Sequence, residues 1–192
     1  MTSQPIVLDL ETKYTFRDYS DPKDLQISVV GVYNYQTHQL ATYFEKDLNQ
    51  LFPILEKASI IIGYNIDHFD LPVLSRYYPG SIDQLPRFDI LADIKNIIGK
   101  RMALNDVVGA TIGKKKSGHG LIAIELFRQK KFEELAKYCL DDVSLTRELF
   151  EYGVKKGEIN YLTEYGKQTI KVDWKKYKNW TNNKDVSLTL PF

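Results

Sequence analysis

Residues 59–62 read SIII, a short run that is apolar and β-branched after its serine. Such a run suits a strand covered on both faces, because it offers no position to solvent. A strand so covered needs packed layers on either side, which confines the chain to folds where a sheet lies against helices. What precedes it is strand-rich: Pro5 to Glu11 (PIVLDLE), Leu25 to Tyr35 (LQISVVGVYNY) and Leu40 to Phe44 (LATYF). The polar break from Gln36 to Gln39 between the last two suggests a hairpin. A helical pattern begins at Asp47 and runs through Leu51, Ile54, Leu55 and Ala58. After residue 62 the pattern turns helical over Leu71 to Tyr78, Ile90 to Ile98, Leu104 to Ile112, Gly120 to Lys130 and Phe132 to Tyr152, with a short strand closing at Phe88. Strands in meander followed by alternating strand and helix predict an α/β domain with a mixed sheet over residues 1–152. Residues 158–173 predict one more hairpin, turning at Tyr165-Gly166, in an extension, 153–192, packed on the same domain.

The totals narrow the class but name no partner. A chain of 192 residues with 43% hydrophobic and 27% charged residues fits one globular domain. A formal net charge of +1 means that a nucleic-acid binder of this kind must gather its basic residues locally. The single cysteine, Cys139, excludes an intrachain disulfide. The start, MTSQPIVLDLET, carries no signal-peptide pattern, and no apolar run approaches the roughly 20 residues that span a bilayer. The expectation is a cytoplasmic domain with no membrane association.

Several acids stand where the pattern expects core. Asp9 and Glu11 are two apart on the first strand, so both carboxylates leave the same face. With 25 acids in the chain, such a pair arises by chance roughly three times; its place in an apolar strand is what distinguishes this one. Glu45 and Asp47 form another pair, which reads as a turn and helix cap. Asp70, followed by Leu71-Pro72, makes a good helix N-cap, yet SIII delivers its loop to the end of the sheet, where sites in open α/β sheets form. In the last long helix the apolar stripe runs Leu135, Tyr138, Cys139, Asp142, Val143, Thr146, Leu149, Phe150, so Asp142 falls inside it with Tyr138 one turn before. Asp141 shares the solvated face of Glu134, Lys137 and Glu148. Four carboxylates on three segments repel one another without a counter-ion, and Mg²⁺ or Mn²⁺ is the natural compensation. Two such ions about 4 Å apart clamp a phosphodiester for in-line attack, and no His/Cys set with zinc spacing competes.

DLET at 9–12, GYNIDHFDLPVL at 63–74 and YCLDD at 138–142 resemble the three exonuclease motifs of the DEDD superfamily of 3′–5′ exonucleases. The middle stretch is similar to proofreading domains of family B DNA polymerases, and the chain to about residue 152 looks like the stand-alone members. The resemblance implies a ribonuclease H-like, five-stranded mixed sheet with helices on both faces. It implies two ions, Mg²⁺ or Mn²⁺, held by Asp9, Glu11, Asp70 and Asp142, with Asp9 bridging both and Asp70 acting through water. Tyr138, four before Asp142, marks the tyrosine subclass; Lys137 stands where the other subclass has histidine. With a reference pKa near 10, a tyrosine there suits orienting the attacking water better than taking its proton.

Around this set, Thr12, Tyr64, Asn65 and Phe69 are candidate substrate contacts, Phe69 reading equally as core. The loop KKKSGHG at 114–120 adds Lys116 and His119, the lysines and glycines of which suit a phosphate or simply a solvated loop. Asp89 in RFDIL reads as the N-cap of the following helix, and Asp67 and His68 as exposed loop residues. The implied activity is release of 5′-monophosphates from the 3′ ends of single-stranded DNA or RNA, in a replication or repair setting. The polymerase-like middle motif favours DNA, although no motif reports on the 2′-hydroxyl. Two rivals keep the same fold: a strand-binding module without turnover, and a structure-selective endonuclease.

Overall fold

The computed structural model describes residues 3–115, 118 and 121–178. Lys116 and His119 lie outside the described residues, as does the end of the chain from residue 179. Strands β1 (Ile6–Thr12), β2 (Ile27–Asn34) and β3 (Gln39–Phe44) form an antiparallel meander. Helix α1 (Leu48–Lys57) leads to β4 (Ile61–Gly63), α2 (Asp70–Ser75) to β5 (Arg87–Asp89), and α3 (Ile90–Ile98), α4 (Leu104–Ile112), α5 (Leu121–Arg128) and α6 (Phe132–Lys156) follow. Strands β4 and β5 lie parallel to β1, giving a five-stranded mixed sheet in the order β3-β2-β1-β4-β5.

Alternation along β1 divides the core. Ile6, Leu8 and Leu10 pack with Leu51 and Leu55 of α1 and with Val73 and Leu74 of α2. Val7, one step out of phase, packs with Ile62, Phe88, Ile94 of α3, Val108 of α4 and Val143 of α6. Helices therefore cover both faces of the sheet, as a buried central strand requires. Because β1, β4 and β5 are parallel, their C-terminal ends and the loops after them meet at one end of the sheet.

Helix α6, 25 residues and so about 37 Å long, crosses the sheet against β1 and β2. It lies unusually close: a Cβ on Gly31 of β2 would sit 2.9 Å from both Cys139 Sγ and Val143 Cγ2. Gly31 is the register partner of Asp9, so the close approach falls at the level of the first acid.

Past the sheet, α6 runs to Lys156, beyond the Tyr152 expected from its pattern, and stops at Gly157 in a left-handed conformation. A hairpin of β6 (Glu158–Thr163) and β7 (Gly166–Lys171) follows, then α7 (Lys175–Lys178). The pairing of Thr163 with Gly166 puts the turn at Glu164-Tyr165, one residue before the expected place, because Gly166 spends its φ of +97° at the start of the strand. Ile159, Ile170 and Trp174 are buried among Leu149 and Phe150 of α6. The Thr111 hydroxyl donates to the Asn160 carbonyl and accepts from the Asn160 N–H, at 3.0 and 2.9 Å. The Trp174 indole donates to Asp93 at 2.8 Å. No helix among the described residues is long and apolar enough to cross a membrane.

Candidate active site

The odd-numbered side chains of β1 turn toward α6, and near the strand's end these become Asp9 and Glu11. Asp142 meets them from the helix: carboxylate oxygens of Asp9, Glu11 and Asp142 all lie within 4.8 Å of one another. Asp142 is 1% exposed and Glu11 9%, so this is like charge gathered largely away from water. A hard divalent cation is the counter-charge that such an all-oxygen set accepts.

Asp70 arrives from the other face. It opens α2, 2% exposed, and its Oδ1 accepts the backbone N–H of Leu10 at 2.9 Å, between the two acids of β1. Asp9, Glu11 and Asp70 line one open groove of about 390 Å³ at the sheet's end. The Cys139 thiol, with Sγ 3.6 Å from the Asp9 carbonyl oxygen, reports the field there. Burial pushes its pKa well up, and Asp9, Glu11, Asp142 and Asp70 add to the shift in that order.

Tyr138 stands one turn before Asp142, buried with Val29, Ala123 and Leu135, and a Cβ on Gly118 would come within 3.4 Å of its ring. Thr12 lines the groove and donates its hydroxyl to the Tyr14 carbonyl at 2.8 Å. Tyr64 also lines it, with its hydroxyl donated to the Met102 carbonyl at 2.8 Å, and burial, then Asp89 and Asp106, hold that phenol above its usual range. Asn65 has a left-handed backbone (φ +67°) and turns its carboxamide oxygen to Arg101 at 2.6 Å.

Asp89 holds this loop in place. Its carboxylate accepts the N–H groups of Leu91 and Ala92, which caps α3, and also those of Asn65 (2.8 Å) and Asp67 (3.1 Å). Asp67 is engaged by Arg87 at 2.8 Å on the outer side, and His68 is exposed. Phe69 is half-buried, packing on the core while it lines the groove beside Phe16, their ring centroids 5.9 Å apart. Phe16 is 54% exposed and did not stand out in the sequence; the signal available was the aromatic spacing of Tyr14, Phe16 and Tyr19 directly after DLET.

No protein-family model matches the chain, and no curated protein matches it. Solved structures do. The family B DNA polymerase from the hyperthermophilic archaeon Pyrobaculum calidifontis is similar over 80% of this chain, with a TM-score of 0.61 and 18% identity. The RNase D of Trypanosoma brucei is similar over 78% of the chain, with a TM-score of 0.60 and 16% identity in its GMP complex and 0.55 and 15% in its complex with RNA U12. The fold is ribonuclease H-like. This chain spans 25% of the polymerase, and 50% and 55% of the two RNase D structures, so the likeness concerns one domain's architecture.

Proposed function

We propose that the chain is a metal-dependent 3′–5′ exonuclease of the DEDD type, tyrosine subclass, which shortens single-stranded nucleic acid and releases nucleoside 5′-monophosphates. The observation that carries this reading is the convergence of Asp9, Glu11 and Asp142 within 4.8 Å, beside a groove that Asp70 also lines. Two divalent cations, Mg²⁺ or Mn²⁺, held by these four carboxylates would polarise the phosphodiester and lower the pKa of the attacking water. The chain's own residues do the positioning. The Leu10 N–H fixes the Asp70 carboxylate against β1, and α6 sets Asp142 and Tyr138 one turn apart on the face that meets the sheet. A phenol with an ordinary pKa near 10 keeps its proton at neutral pH, so Tyr138 acts by directing a hydrogen bond at the water. Phe69 and Phe16 offer ring surface to the terminal bases.

The neighbours support the reaction class: the same architecture occurs in a DNA polymerase and in an RNase D solved with GMP, a nucleoside monophosphate, and with RNA. DNA is the favoured strand, on the likeness of GYNIDHFDLPVL to polymerase proofreading domains. The test uses a 5′-labelled single strand, a 3′-recessed duplex and a closed circular strand, each with Mg²⁺, Mn²⁺ or EDTA. A metal-dependent ladder shortening from the 3′ end is expected. Cleavage of the circle would replace the exonuclease with an endonuclease, and a gel shift without cleavage under either metal would leave a binding module.

A further inference from the structure

We propose that a second groove, across the end of β1 from the first, holds a nucleotide of the same strand upstream of the scissile bond. This inference rests on the strand-cleaving reading above. The groove, about 390 Å³, is lined by Lys13, Ser28, Phe44, Lys46, Phe127 and Phe132, together with Glu45.

It neighbours the first groove along two elements. Lys13 directly follows Thr12, and α5 places Ile124 on the first groove and Phe127, three residues on, in the second. Three residues of helix advance about 4.5 Å, so the two grooves are neighbours. The lining has the character of a single-strand platform, with aromatic rings beside positive charge. Phe132 is 42% exposed and is held edge-on by Phe44 and Phe127, at centroid distances of 5.8 and 6.1 Å. Lys13 Nζ lies 5.6 Å above the Phe127 ring, and Lys46 is exposed. The acid among them, Glu45, is engaged by Lys13 at 2.5 Å and by the Tyr77 hydroxyl at 2.8 Å.

A polar wall points to a ligand with hydrogen-bonding groups. The pairing of β1 with β2 slips between Glu11, opposite Val29, and Thr12, opposite Ile27, which leaves Ser28 as the extra residue of a β-bulge. Its side chain is 2% exposed, and the hydroxyl has no hydrogen-bond partner among the described residues. A buried hydroxyl left unpaired is costly, and since Ser28 lines the groove, a turn of its side chain would bring the hydroxyl to a base edge or phosphate there. Rings alone would suit an apolar peptide; rings with lysines and an unsatisfied hydroxyl suit a nucleotide.

The test compares a nucleoside 5′-(p-nitrophenyl phosphate), which has no upstream nucleotide, with a strand of about ten nucleotides, long enough to cover both grooves. For Phe132→Ala, the ratio of kcat/KM on the long strand to that on the nucleotide ester is expected to fall about ten-fold, the loss of one base stack. Phe132→Tyr restores the ratio, because it keeps the ring. Lys46→Glu raises KM on the long strand and flattens its salt dependence. A ratio that Phe132→Ala leaves unchanged overturns the proposal and gives the groove to another occupant. If the unaltered protein cleaves neither substrate, the exonuclease reading fails, and the groove is judged on binding of the labelled ten-nucleotide strand. A roughly ten-fold weaker affinity for Phe132→Ala then supports the groove; equal affinities overturn it.

Discussion

The two halves of α6 bury their side chains by opposite rules. Toward its C-terminus, Leu149, Phe150 and Gly153 receive Trp174: the indole stacks on Phe150 with centroids 6.0 Å apart, and a Cβ on Gly153 would lie 2.2 Å from the indole ring. Everything there gains from leaving water. Toward its N-terminus the same helix pushes Asp142 against Asp9 and Glu11, where burial and like charge both oppose folding. One helix thus joins a region built for stability to one that gathers like charge, and the first supports the strain of the second.

That contrast can be broken most directly at Asp142. Asp142→Ala should lower turnover by at least about a thousand-fold, while thermal unfolding in EDTA occurs at the same or a higher temperature than for the unaltered protein. A lower midpoint in EDTA would mean that the acid supports the fold and would erase the contrast. Trp174→Ala should do the reverse. Urea unfolding is expected to show a loss of about 3–5 kcal/mol, with turnover per folded molecule retained in the cold.

A third test sharpens the electrostatic half. Adding Mg²⁺ or Mn²⁺ at about a hundred times its dissociation constant should stabilise the protein by about 2.7 kcal/mol, and Asp142→Ala should abolish that shift. Calorimetric scans with and without metal read it. The smallest effect is expected at Gly31→Ala, where the new methyl forces α6 off the sheet at the level of Asp9. A stability loss of about 1–3 kcal/mol should accompany a kcat reduced more than KM is changed, since the carboxylates on the two elements move apart.

How much of this was legible in the sequence depended on the range of the interactions involved. Both bounds of α3 and α4 were readable, because their stop signals are local: Asp89 caps the first, and Gly99 and Gly113 end the two in left-handed conformations. Helix α2 is shorter than its pattern, Asp70–Ser75 in place of Leu71 to Tyr78. Tyr77 is drawn out by tertiary partners, its hydroxyl reaching Ile27 N–H and Glu45. The shared face of Asp9 and Glu11 followed from a period of two, and the place of Asp142 in a buried stripe from a period near 3.6. The Leu10–Asp70 hydrogen bond spans 60 residues and depends on β4 lying beside β1, which no local pattern states. Asp89 shows both sides at once: its cap was readable, while its hold on Asn65 and Asp67, across the parallel pair β4 and β5, was not.

Cys139 turns the close approach of α6 to β2 into something a chemist can time. It is the only thiol in the chain, fully buried behind Gly31, in surroundings that disfavour its thiolate. The thiolate is the form that attacks alkylating reagents, so the folded protein presents them with nothing to modify. Each labelling event then records one excursion in which the helix leaves the sheet. With reagent in enough excess that labelling outpaces reclosing, a maleimide or iodoacetamide time course becomes a clock for opening at the level of Asp9, run without any substrate and without any engineered probe.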